Sequence, residues 1–206
     1  MACHEPGGSK GAALLREPRL KGKGGGLSQP NGAGYAGGMD EIVTPRLRLR
    51  RARPGDLDAW HAILGDPRAM RYWSTPPHTD LAQTRAWVEG MVGASPDDSD
   101  DFVIERDGVL IGKAGCWRAP EAGYILHPDH WGQGLAFEAM SAVIPHIFAR
   151  FDIRALTADV DPRNTASLKL LARLGFEETH RGARTIKVGD EWCDSVYLAL
   201  QRPAPP

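Results

Sequence analysis

A chain of 206 residues is long enough to bury a hydrophobic core without disulfide or metal staples, and it fits one domain of ordinary size. Its formal net charge of -1 and pI near 6.7 give no global field for a polyanion, which argues against nucleic acid as a partner. The three cysteines, Cys3, Cys116 and Cys193, are odd in number and far apart, so neither a disulfide scaffold nor a zinc site follows from them. With no apolar run approaching about 18 residues and no basic-then-apolar leader, the reading is a cytoplasmic protein with no membrane partner.

Residues 1 to 38 hold 11 of the 24 glycines and carry five Lys or Arg against two Glu, with no sustained hydrophobic period. Such a segment cannot offset its ordering entropy by burial. Lys21-Gly22-Lys23 would suit an anionic surface, but the composition is that of a solvated, disordered tail or a mis-called start. Met39 begins a run through Arg50 that reads as the opening of a single domain over 39 to 206.

From there the pattern switches repeatedly between periods of 2 and 3.6, which predicts an α/β fold of the α+β type. Arg46 to Ala52 alternates as a strand. Pro54 opens a helix with Leu57, Trp60 and Leu64 on one face, ending near Asp66-Pro67. Asp80 with Gln83 resembles a capping box and predicts a helix burying Leu81, Val88 and Val92. Phe102 to Arg106 and Val109 to Cys116 flank Asp107-Gly108, a strong signal for a two-residue hairpin. Tyr124 to Leu126 reads as a strand, and Gly134 to Phe151 as a helix with Met140, Val143, Ile144, Ile147 and Phe148 inward. Pro145 conflicts with that helix, because an interior proline costs about 3 kcal/mol and as a rule kinks it. Ala155 to Val160 is a strand, about 164 to 174 a helix, and Gly189-Asp190 the turn of a last hairpin.

The turn Trp131-Gly132-Gln133-Gly134-Leu135-Ala136 lies where a strand ends and a helix begins. First-turn amides of a helix have no intrahelical acceptor and carry the positive end of its dipole, so a glycine-lined turn there can wrap N–H groups around a phosphate. A dinucleotide-binding fold also places Gly-x-Gly after a strand. It wants a third small residue, where this chain has Phe137, and a crossover helix where this chain has a tight hairpin, although Asp152 lies at the distance its acidic residue requires.

The segment from Glu121 to Glu138 resembles the coenzyme A loop of the GNAT superfamily, in the branch of the Rim-type ribosomal-protein acetyltransferases. Trp131 stands where most of the superfamily has Arg or Gln, and an aromatic there is similar to the Rim-type branch. Asn164 to Phe176 resembles the family's penultimate helix and following strand, Gly189 to Asp194 with Tyr197 its closing hairpin, and Thr44 to Arg50 its opening strand. One such motif is weak; four in order, spanning about residues 42 to 200, are strong.

The resemblance implies a GNAT fold: a mixed, mostly antiparallel, bent sheet of six or seven strands with about four helices, splayed open where the cofactor enters. It implies an acyltransferase that moves an acetyl group from acetyl-CoA to a primary amine by direct attack in a ternary complex, with no metal. Amides of Gly132, Gln133, Gly134, Leu135, Ala136 and Phe137, beside Trp131, would hold the pyrophosphate, and the strand ending at Leu126 would pair with the pantetheine arm as if it were another strand. Asn164 is a further cofactor contact or simply a helix N-cap. Glu121 matches the family's Glu-x-Gly-Tyr glutamate and is the expected general base. The usual acid, a Tyr four residues before the Gly-Phe pair, is replaced by Leu171, and Ser167 matches a serine that the Rim-type branch places near the thioester sulfur.

Tyr72, Trp73 and Trp117, with His78 nearby, are the expected acceptor contacts. His127 and His130 lack a third ligand for a metal, and Cys116 reads as packing. The expected partners are an amine acceptor, either a protein N-terminus, a small amine or an aminoglycoside, and a second copy of the chain in a homodimer. A coenzyme A-binding module without catalysis is the alternative that Leu171 keeps open.

Overall fold

The computed structural model describes residues 41 to 204; the glycine-rich tail of residues 1 to 38 and the opening Met39 lie outside the described residues. Among the described residues eight strands form one sheet in the order β1-β2-β3-β4-β5-β6-β8-β7. They are β1 (Glu41–Val43), β2 (Arg48–Arg50), β3 (Asp100–Arg106), β4 (Val109–Arg118), β5 (Glu121–Leu126), β6 (Ala155–Val160), β7 (Glu177–Val188) and β8 (Glu191–Gln201). Among the described residues the four α-helices are α1 (Leu57–Leu64), α2 (Leu81–Val92), α3 (Leu135–Arg150) and α4 (Thr165–Arg173).

The sheet has one strand more than the six or seven expected. The extra one is β1, three residues pairing antiparallel with β2, too short for alternation to announce it. The expected strand over 46 to 52 contracts to Arg48–Arg50. Arg50 is buried against the simple alternation because its guanidinium holds Asp56 at 2.7 Å and Glu105 at 2.5 Å, and buried charges survive when paired in this way.

The Asp107-Gly108 turn has both residues at positive φ, 52° and 77°, the geometry a type I′ hairpin needs. One face of the sheet packs on α3, through Met140, Val143 and Ile147, and on α4 through Leu171. The other carries α1 and α2, with Trp60, Ile63, Leu64 and Val88 against Val103 and Ile125.

Asp80 caps α2, its carboxylate accepting from the Gln83 amide at 2.9 Å. Gln83 reaches back one residue further than a capping box would, to the Thr79 amide at 2.8 Å. Leu81, expected inward, is 45% exposed, because it opens the helix one turn ahead of Thr84, where the buried stripe begins. Pro145 sits on the solvent side of α3 next to exposed Ser141, so the carbonyl it deprives of a donor faces water and the helix runs on.

All neighbouring strands are antiparallel except β5 and β6, which run parallel and touch at a single pair, Glu121 with Thr157. Beyond it the two strands separate, and that divergence shapes the site.

Candidate active site

The divergence leaves the β6-facing edge of β5 open. His127 donates to the Ile111 carbonyl at 2.8 Å, so the alternation of an antiparallel ladder turns the N–H and C=O groups of Tyr124 and Leu126 away from β4 and into the gap. The Leu126 carbonyl there accepts from the Trp131 indole Nε1 at 2.9 Å.

At the end of the gap lies the glycine turn. Gly132 and Gly134 have φ of 72° and 74°, the left-handed region that favours glycine. Gly134 is the N-cap of α3 and has no side chain to offer, so no side-chain cap meets the first-turn amides; the first helical bond is Glu138 N–H to the Gly134 carbonyl at 3.0 Å. Two arginines brace the turn. Arg46 donates to the Gln133 carbonyl at 2.9 Å while its Nε holds Glu138 at 2.6 Å, and Arg106 donates to Gln133 Oε1 at 2.6 Å. Arg173 stacks on the Phe137 ring at 4.3 Å, and with Arg46 and Gly134 it lines a shallow groove along the start of α3. Open amides, a helix N-terminus and nearby cations fit a diphosphate, while the open edge of β5 fits an amide-bearing arm.

Glu121 starts β5 on the α1/α2 face and is half-buried. Burial pushes its carboxyl above the usual range and the Asp159 carboxylate adds to that, against a hydrogen bond with the Trp117 side chain. Lys113, on the same face opposite Ile125, is committed to Asp101 at 2.6 Å. Trp73 packs on the α1/α2 core, with its indole N–H buried and unpartnered. Tyr72 lies between the guanidinium groups of Arg71 and Arg163, 5.2 and 5.9 Å from its ring. The structure thus gathers Trp117 with Glu121, packs Trp73 against the α1/α2 core on that face, and leaves Tyr72 towards the end of β6. His78 is tied inward instead, its Nδ1 3.0 Å from the Thr84 hydroxyl.

On the opposite face, Asn164 caps α4, its Oδ1 accepting from the Ser167 amide at 3.2 Å. The Ser167 hydroxyl stands 2.6 Å from the Tyr124 hydroxyl, which reaches across from β5. Leu171, where the family's usual tyrosine would stand, is buried in the core. Sequence reasoning passed over Tyr124, Arg46 and Arg106. The first two lie inside motifs quoted for the resemblance, but their partners are 43 and 92 residues away. Cys116 is buried and its thiol pushed up to about 12 by burial, which makes it packing and not a nucleophile. Among the described residues no three His, Cys, Asp or Glu cluster to hold a metal, and no helix is long and apolar enough to cross a membrane.

The acetyltransferase (GNAT) domain family matches residues 46 to 177. An N-acetyltransferase of Bacillus licheniformis, p20, of otherwise uncharacterised role, is 31% identical over 150 residues, 68% of this chain and 84% of its own. The [ribosomal protein uS5]-alanine N-acetyltransferase of Escherichia coli is 35% identical over 108 residues, 52% of this chain and 55% of its own. Among solved structures, RimJ of Mycobacterium smegmatis in complex with CoA-disulfide superposes with a TM-score of 0.65 at 26% identity, covering 75% of this chain and 81% of that one.

The match takes in both the split between β5 and β6 and the glycine-turned start of α3, and the chain belongs to the acetyltransferase (GNAT) domain family. It is an acyltransferase that uses acetyl-CoA to acetylate an amine.

Proposed function

We propose that the acceptor is a protein N-terminal amine, that the acetyl group passes by direct attack in a ternary complex, and that Glu121 is the general base. The observation that carries this reading is the gap beyond the single Glu121–Thr157 pair, with a carboxylate on one face and the Ser167 hydroxyl on the other. Acetyl-CoA supplies the acetyl thioester. The amides of residues 132 to 137 and Arg46 and Arg106 hold its diphosphate, Trp131 shields the strand end, and the free edge at Tyr124 and Leu126 pairs with its pantetheine arm. The Asn164 side-chain amide keeps its N–H groups for the same arm.

An ammonium does not attack, so Glu121 removes a proton from the amine, directly or through a water. Its raised pKa brings it nearer neutrality, where a base is most effective, and Asp159 on the facing lip favours a cationic amine entering. Ser167, in the first turn of α4, faces the departing sulfur, where the helix dipole also favours negative charge. Tyr72 and Trp117 contact the acceptor, with Trp73 beside them on the α1/α2 core. Support for a protein terminus comes from the Escherichia coli relative named for the alanine of uS5, and from the open floor beside Asp159, where His180 stacks on Tyr197 at 4.3 Å. The free thiols of Cys116 and Cys193 suit the reducing cytoplasm.

A thiol-release assay with acetyl-CoA and matched panels of N-terminal peptides, small amines and aminoglycosides tests the reading. Turnover highest on peptides supports it; turnover confined to small amines or aminoglycosides moves the acceptor class. Tight coenzyme A binding with no turnover on any amine would make the protein a binding module and remove the proposal.

A further inference from the structure

Leu171 of α4 is buried in the core and offers no hydroxyl to the gap, yet a hydroxyl pair stands nearby. Tyr124 comes from β5 and Ser167 from the first turn of α4, so their 2.6 Å contact bridges the gap at the face opposite Glu121. We propose that Tyr124 is a positioning residue that orients the Ser167 hydroxyl towards the sulfur of the departing coenzyme A, replacing from the strand the function that Leu171 cannot provide from the helix. The proposal rests on the assignment of Ser167 above.

A serine hydroxyl rotates freely about its Cβ–Oγ bond and holds one proton. With the Tyr124 O–H donating to Oγ, one serine lone pair is filled and the serine proton turns away from the ring into the gap. Without the tyrosine the serine proton can turn to a neighbouring carbonyl. Either oxygen can donate in that contact, and the Tyr124 hydroxyl also lies 3.4 Å from the Ser167 carbonyl; we take the tyrosine as donor to Oγ, at the shorter of the two distances and because a phenol is the better donor to an aliphatic hydroxyl. Burial pushes Tyr124 up to about 12, so it keeps its proton at every assay pH. The Asn164 cap on the Ser167 amide, 3.2 Å, fixes the serine backbone, and Tyr124 fixes the remaining torsion.

In the step itself the amine nitrogen bonds to the acetyl carbon, and the carbon–sulfur bond breaks with its electron pair on sulfur. An entering ammonium gives up two protons in all: Glu121 passes the first to solvent before attack and takes the second from the nitrogen as the bond to carbon forms, and that second proton reaches sulfur through solvent. Ser167 donates a hydrogen bond to the developing negative charge, and both hydroxyls finish with the protons they began with.

The test is a double-mutant cycle of Tyr124→Phe and Ser167→Ala, read in kcat with the best acceptor of the panel and in the pH dependence of coenzyme A binding by calorimetry. Tyr124→Phe keeps the ring and its packing, and the melting temperature of each variant checks that it folds. Expected is an about tenfold loss of kcat for Tyr124→Phe, equal to about 1.4 kcal/mol of transition-state stabilisation, with KM for acetyl-CoA unchanged. In the Ser167→Ala background Tyr124→Phe should cost nothing more, because one acts through the other. Bound coenzyme A should show a lowered thiol pKa that both single variants raise equally.

An equal loss in both backgrounds would overturn the proposal, as would no loss in either or a coenzyme A pH profile that Tyr124→Phe leaves alone. The binding profile needs no acceptor, so it judges Tyr124 separately from the acceptor assignment.

Discussion

A carboxylate at the parting of two strands is held in two environments at once. Glu121 is flanked by protein on the α1/α2 face and open towards the gap, and burial, with Asp159 facing it, raises its pKa above the ordinary value of 4.5. For catalysis the sign is simple: a base works only when deprotonated, so kcat should rise with pH through the raised Glu121 pKa and level off above it. Glu121→Gln should lower kcat by about 10²- to 10⁴-fold, the usual contribution of a general base, and erase the acid limb of the pH–rate profile. An acid limb that survives the substitution would assign the base elsewhere.

For stability the sign is opposite to that of a salt-bridged acid. Between the unfolded value near 4.5 and the raised folded value, the folded state holds more protons, so stability falls as pH rises across that window. Above it the full cost of burying the charge is present. Glu121→Gln, which keeps an oxygen for Trp117, should therefore raise the melting temperature at pH 7 and not at pH 4, checked by thermal unfolding at both. A lowered melting temperature at pH 7 would mean that the carboxylate is stabilised by its neighbours after all.

The start of α3 is built to lack a side-chain cap, and the start of α4 is built to have one. At Gly134 a Cβ would have open space, with Arg46 Nη2 its nearest atom at 3.7 Å, but φ of 74° costs a non-glycine residue about 1–2 kcal/mol. Gly134→Val should thus lose modest stability and much more coenzyme A affinity, because its side chain fills the space over the open amides; calorimetry of binding separates the two effects. Asn164→Ala should cost about 1 kcal/mol of unfolding free energy through the lost cap, and Asn164→Asp should restore most of it in urea denaturation.

These two helix starts also mark what sequence can reveal. The glycine turn, the Asn164 cap, the Asp107-Gly108 hairpin and the bounds of β6 all depend on residues within a few positions of one another, and local rules of φ and capping expose them. The Tyr124–Ser167 pair, the grip of Arg46 on Glu138 and the burial of Arg50 depend on partners brought together only by sheet order. Leu81 misled because helical period gives a face but not how far along the helix its neighbour extends.

At the scale of the whole molecule, the sheet is two antiparallel halves, β1 to β5 and β6 to β8, that touch at one parallel pair. Splitting a sheet leaves unpaired backbone groups, which are costly when buried and invite another strand. Here the unpaired edge is that of Tyr124 and Leu126, with one carbonyl already covered by the Trp131 indole at 2.9 Å. Amides without a hydrogen-bond partner exchange with solvent at local-opening rates far above those of a paired core strand. In the free protein the Tyr124 and Leu126 amides should therefore exchange rapidly, while Ile125, which faces β4, stays protected. Coenzyme A should slow Tyr124 and Leu126 to the level of Ile125 and, at 100 times its dissociation constant, stabilise the protein by about 2.7 kcal/mol. Hydrogen exchange resolved to single amides decides the matter. Protection confined to the glycine turn, with Tyr124 and Leu126 still exchanging freely, would mean that the cofactor is held by its phosphates alone and that the gap between the halves serves another purpose.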